Sequence, residues 1–290
     1  MSKTSVRRTV RVGATAVAAA LGMLVATAAP SAAQTPGRNG QITWVDQCVL
    51  SGPTGLPYPG EVEGLGCYIS GSWSPDGRFV AVVTDNGTEG GVGELWIWDD
   101  AADTLRPLGT VDVDSRTSFS PGGTRLAVGR GGDILILDVA TGATVRNLTR
   151  TPSTTESDPT WNRRNLAIAY TAPDGVRSVK LWGGWSRLVA AGAVYADFAP
   201  DGWHIGFTRD GVVYRAKRDG RLAQAIFTMP EGVRPQFAWS PDGKYLLSAD
   251  GEGGLQITSR YGRLVETGLG GSGSKAPAWQ PLRSAPPGAS

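Results

Sequence analysis

The chain has 290 residues, with 28 Lys+Arg, 26 Asp+Glu, one His and two Cys, and 40% of it is hydrophobic. That length is ample for one domain with a continuous core. A net charge of +2 excludes the basic footprint of a nucleic-acid binder, and a lone His with two distant Cys excludes the familiar zinc constellations.

The first element is an export signal. Lys3, Arg7, Arg8 and Arg11 form a basic start, Val12 to Ala28 is an Ala-rich apolar run, and Ser31-Ala32-Ala33 completes an A-x-A-like cleavage pattern. The run is short for a membrane anchor. Residues 1–33 are therefore read as a cleavable signal peptide and 34–39 as a linker. The expected location is extracellular or in the cell envelope or periplasm, as a soluble chain with no membrane span after cleavage. Taking its four basic residues from 28 leaves 24 against 26 acidic ones, a net of −2. Cys48 and Cys67 follow; in an exported chain an even pair reads as a disulfide, here stapling a loop that contains Gly52-Pro53 and Tyr58-Pro59-Gly60.

A repeat then fills the chain. Trp73-Ser74-Pro75-Asp76-Gly77, Phe119-Ser120-Pro121-Gly122-Gly123, Phe198-Ala199-Pro200-Asp201-Gly202 and Trp239-Ser240-Pro241-Asp242-Gly243 share one pattern. Trp161-Asn162-Arg163-Arg164-Asn165 and Trp279-Gln280-Pro281 are degenerate copies. Successive aromatics lie 46, 42, 37, 41 and 40 residues apart. A fixed period with turn residues at fixed offsets marks a repeat architecture. Each aromatic ends a short first strand, and Pro, Asp and Gly suit the tight turn after it.

Second strands follow, such as Phe79–Val83 and Leu166–Tyr170, then third strands, such as Leu95–Trp98, Ile134–Leu137 and Val179–Trp182, and a fourth, such as Thr144–Thr149. Four short β-rich segments per repeat describe a propeller blade. The segment Gln41–Val45 reads as a second strand lacking its first, while Trp279 ends a first strand lacking a second. The expected fold is an all-β, six-bladed propeller of four-stranded antiparallel blades over residues 40–282. Its sixth blade closes by N-terminal strands joining the C-terminal strand. Residues 283–290 read as a disordered tail.

The aromatic-Ser-Pro-Asp-Gly unit, the apolar strand after it and the Leu148-Thr149 ending resemble the WD40-like repeat of the TolB-type six-bladed propellers. The resemblance covers nearly all of the chain after residue 40. It extends to the propeller only: TolB carries a preceding α/β domain, for which no room is expected between the signal and Gly40. The same repeat occurs in propellers attached to serine peptidases, and no peptidase domain is expected here. The resemblance implies a surface that docks partner proteins.

Chemical motifs are few. His204 falls on a second strand among apolar neighbours, and no G-x-S-x-G elbow supplies a nucleophile. Gly129-Arg130-Gly131-Gly132-Asp133 reads as a hairpin turn rather than a phosphate loop, since no helix follows. Asp99-Asp100 with Asp103, and Asp112 with Asp114, read as turn carboxylates rather than a Ca²⁺ loop. Neither a cofactor nor a metal is expected.

Equivalent positions around a propeller form rings about its channel. Three residues before each aromatic stand Ser70, Arg116, Asp158, Tyr195, Gln236 and Ala276. The first five are the candidate binding residues. The leading expectation is a secreted, non-catalytic module, monomeric, docking a protein or peptide partner on its channel face or loops. The alternative is a propeller hydrolase or lyase acting on a carbohydrate or lactone through carboxylates such as Asp158 with Glu156 or Asp114. A structural scaffold at the cell wall is a third reading.

Overall fold

The computed structural model describes residues 38–46, 48–51, 66–85, 87, 91–113, 115–151, 155–270 and 275–282. The segments read as signal peptide and tail, most of the Cys48–Cys67 loop and Asp114 lie outside these residues.

Strands β1 (Arg38–Asp46) and β2 (Val49–Ser51) come first, so β1 begins within the stretch read as linker. Blade I is β3 (Cys67–Trp73), β4 (Phe79–Asp85), β5 (Val92–Asp99) and β6 (Thr104–Asp112). Blade II is β7 (Ser118–Phe119), β8 (Arg125–Arg130), β9 (Asp133–Asp138) and β10 (Thr144–Asn147). Blade III is β11 (Ser157–Trp161), β12 (Ala167–Ala172), β13 (Gly175–Lys180) and β14 (Arg187–Ala191). Blade IV is β15 (Val194–Phe198), β16 (His204–Arg209), β17 (Val212–Lys217) and β18 (Gln224–Thr228). Blade V is β19 (Phe237–Trp239), β20 (Tyr245–Ala249), β21 (Leu255–Ser259) and β22 (Leu264–Leu269), and β23 (Lys275–Leu282) is last.

Within blades I–V each strand pairs antiparallel with its neighbours in chain order. The sixth blade has the order β2-β1-β23 among the described residues. Ile42 pairs with Trp279 and Thr43 with Ala278, so the last strand of the chain receives the first. This closure removes the open edges that would otherwise template aggregation. The Cys48–Cys67 disulfide forms, with Cα atoms 4.4 Å apart, and ties blade VI to blade I.

The turn chemistry works as its residues demand. Gly77 and Gly243 sit at φ 72° and 71°, a conformation that costs any residue with a Cβ, and their N–H groups donate to Ser74 and Ser240 carbonyls at 2.9 and 2.8 Å. The Ser74 hydroxyl donates to Asp76 at 2.6 Å and accepts from the Phe79 N–H at 2.9 Å. In the degenerate third copy Asn165 takes the left-handed place, at φ 55°. Both degenerate copies replace the Ser by an amide with a new task. Asn162 Nδ2 donates to the Gly202 carbonyl at 3.0 Å, and Gln280 Nε2 to the Gly77 carbonyl at 2.8 Å. Each stitches its own turn to the turn of the next blade.

The core is six clusters, one at each blade-to-blade junction. Side-chain alternation on a strand feeds two of them at once. Val80 and Val82 of β4 join Val45, Leu50 and Ala278 of blade VI, whereas Ala81 and Val83 join Phe119, Leu126 and Val128 of blade II. The repeat aromatic is the constant member: Trp73, Phe119, Trp161, Phe198, Trp239 and Trp279 each take part in a different junction. The third strand of blade III differs from its sequence reading. It ends at Lys180, and Trp182 is carried off the sheet by a turn in which Gly183 and Gly184 have φ 87° and 110°.

Candidate functional site

The first strands surround a cavity of about 110 Å³, lined by Ser70, Arg116, Tyr195, Gln236 and Ala276 of the ring and, toward one end, by the turn residues Pro75, Arg163 and Pro200. Asp158, the remaining ring residue, does not line it. Several ring positions sit at β-bulges: the register shifts between Ser157 and Thr160 and between Val194 and Asp197, and Asp158, Tyr195 and Ala276 have φ 51°, 51° and 49°. The bulge re-aims the side chain, which is how such irregularities work beside sites.

Position −1 before the aromatic carries a belt of inter-blade hydrogen bonds. Ser72 and Thr117 hydroxyls lie 2.7 Å apart. Ser118 accepts from the Trp161 N–H at 2.9 Å, Thr160 from the Phe198 N–H at 3.2 Å, and Asp197 from the Trp239 N–H at 3.2 Å. Thr43 accepts from Trp73 Nε1 at 3.0 Å across the closing blade. Sequence reasoning missed this belt, although Ser72, Ser118, Thr160 and Asp197 recur at a fixed offset.

Arg116 ties one side of the lumen together. Its guanidinium reaches from blade II past blade III to blade IV, donating to Tyr195 Oη at 2.8 Å and to Asp197 Oδ1 at 2.9 Å. Burial would lower the guanidinium pKa, but Tyr195 and Asp197 outweigh it and the net direction is upward. The Tyr195 hydroxyl is pushed up to about 12, chiefly by burial. Both ends of this pair are therefore fixed in state at neutral pH.

Arg163 is different. It lines the same cavity, and among the described residues its side chain makes no hydrogen bond or ion pair. Burial lowers its pKa, with Asp197 acting in the opposite direction. Opposite it the lumen wall is formed by the small residues Ser70 and Ala276 and by Gln236.

Of the carboxylates named for a hydrolase or lyase, neither Asp158 nor Glu156 lines the cavity. Asp158 Oδ1 accepts from the Arg116 N–H at 3.2 Å and its Oδ2 from the Ser157 hydroxyl at 3.2 Å. Glu156 is buried outside the cavity lining; burial raises its pKa, with Thr149 and Thr151 acting in the opposite direction. Asp114 lies outside the described residues. His204 Nδ1 is 2.7 Å from Asp201 within its own turn. The glycine-rich segment of blade II is the β8–β9 hairpin, and Asp112 occupies its amides, accepting from Gly131 and Gly132 at 2.8 and 3.2 Å. Asp99 accepts from Ala101 and Ala102 and pairs with Arg78 at 2.6 Å. Among the described residues no helix is long and apolar enough to cross a membrane.

No protein-family model matches the chain, and no curated protein matches it in sequence. Solved structures do. TolB from Acinetobacter baumannii superposes with a TM-score of 0.65 at 18% identity, covering 83% of this chain and 67% of that one. A structure from Agrobacterium tumefaciens described as a TolB gives 0.57 at 19%, covering 79% and 88%. A chain of a nidogen–laminin complex gives 0.66 at 9%, covering 84% and 99%. The fold is that of a TolB-type β-propeller.

Proposed function

We propose, from the TolB-type propeller fold, that this protein is an exported, non-catalytic, monomeric binding module that receives a segment of a protein partner at its channel mouth. The observation that carries the reading is Arg163: a channel-lining guanidinium with no hydrogen-bond or ion-pair partner among the described residues, opposite a lumen wall of Ser70, Ala276 and Gln236. A guanidinium in such a place suits a carboxylate, from an acidic side chain or a chain terminus, which it can hold by two parallel hydrogen bonds. Arg116, Asp197 and Tyr195 then form the rigid wall against which that segment packs, rather than its ligands. The Cys48–Cys67 bond fits an oxidising compartment outside the cytoplasm. That one of the superposable propellers was solved within a nidogen–laminin complex agrees with the use of this fold for protein docking.

The test is affinity capture from envelope extract and culture supernatant with the wild-type protein and the Arg163→Ala variant. A partner captured by the former and lost with the latter is expected. Equal capture by both variants, or no specific partner together with turnover of a glycan or lactone, would refute it.

A further inference from the structure

A second site lies on the outside of the ring, between blades III and IV. There a groove of about 350 Å³ is bordered by Trp182, Trp185, Lys180, Arg187 and Arg218. Its aromatic groups are exposed to an unusual degree. Trp182 is 62% and Trp185 101% exposed, with Trp203 of the next blade's turn at 51%. Large indoles left in water in one place mark an interaction surface, since single exposed apolar residues are ordinary whereas clustered ones are not.

The sequence arranges this display at a cost. Trp182 would have continued β13, but the Gly183-Gly184 turn lifts it and Trp185 away from the sheet. The surroundings are cationic. Lys180 Nζ sits 5.3 Å from the Trp182 ring, and Arg164 and Arg218 lie 4.2 and 4.9 Å from the Trp203 ring. Arg218 itself borders the groove, so its guanidinium adds positive charge at the edge where Lys180 and Arg187 also stand. The one carboxylate on the groove, Asp219, is held by Arg221 at 2.8 Å and leaves the cationic excess in place.

We propose that this groove binds an acidic saccharide, a glycan segment carrying uronate carboxylates. The flat C–H face of a pyranose covers an indole while its rim of hydroxyls meets the polar groups at the groove edge, Ser178 among them. The uronate carboxylates pair with Lys180, Arg187 and Arg218 around the groove. An acidic peptide answers the charge but not the flat, exposed indoles, and a neutral glycan answers the indoles but leaves the cations uncompensated. The groove shares only Phe198 with the lining of the channel cavity, and the proposal stands whether or not the channel binds a partner.

The experiment is titration of the purified protein with trigalacturonate, maltotriose and a hexaglutamate peptide, read by tryptophan fluorescence and calorimetry. Trigalacturonate is expected to bind saturably and to lose about tenfold in affinity or more with Trp185→Ala and with Arg218→Gln. Arg163→Ala should leave it unchanged. Because the Trp185 side chain is fully solvated, its truncation leaves the fold intact, which an unchanged thermal midpoint verifies. Absence of saturable trigalacturonate binding, affinity indifferent to Trp185→Ala, or hexaglutamate or maltotriose binding as tightly as trigalacturonate would each overturn the assignment.

Discussion

Among single residues, Asp197 carries the most. Its carboxylate is shared by Arg116, the Thr160 hydroxyl and the Trp239 N–H, so three blades depend on it. Removing one partner of a largely desolvated pair leaves the other charge uncompensated. Asp197→Ala should cost about 3 kcal/mol in urea denaturation, and the double variant with Arg116→Ala should cost less than the sum of the single changes. Glu156 acts in the other direction. Burial raises its pKa, so the folded state holds a proton that the unfolded state releases near about pH 4.3. Stability from the protonated carboxyl is present below that pH and falls as pH climbs toward the folded pKa. Glu156→Gln should match the wild type at pH 4 and exceed it at pH 7 in thermal midpoint; a variant equally destabilised at both values would contradict this account. Neither role is legible in the sequence. Asp197 and Glu156 look like any strand-borne carboxylates, and their meaning comes from bulges and blade packing that juxtapose residues some forty positions apart.

For the recurring elements, the sequence was far more explicit. The aromatic-Ser-Pro-Asp-Gly unit announces the turn, the strands on either side and the period, because each is dictated by local backbone chemistry. Tertiary demands set the rest. Three ring residues adopt left-handed φ that no local signal foretells, and β13 stops before Trp182 although the pattern reads on as strand. Equivalent turn glycines also differ in what surrounds them. A Cβ on Gly77 would stand 2.1 Å from the Pro281 carbonyl oxygen, whereas one on Gly243 would meet nothing closer than 3.7 Å. Gly243→Ala should therefore cost about 1 kcal/mol for its φ alone, and Gly77→Ala distinctly more, because backbone of the closing blade must shift. Chemical denaturation of the two variants side by side measures the difference; equal costs would show that blade VI yields freely at that turn.

In the whole molecule, stability rests on closure. Six junction cores are each built from two blades, so no blade buries both of its faces until the ring is complete. The Cys48–Cys67 bond reinforces the junction between blades VI and I and closes a loop with a sequence separation of 19. Its removal by Cys48→Ser with Cys67→Ser should cost about 3 kcal/mol. Under reducing conditions the wild type should unfold at the same denaturant concentration as the double Ser variant; a wild type indifferent to reductant would place the stabilisation elsewhere.

The pairing of β1 with β23 has a consequence in time. The strand that completes the ring is among the last to be synthesised, and its partner among the first, so a nascent chain holding every other strand still lacks the contact that makes folding cooperative. Until β23 is available to pair with β1, the ring cannot close. For the exported protein proposed above, strand order alone would thus hold off completion of the ring until the end of synthesis.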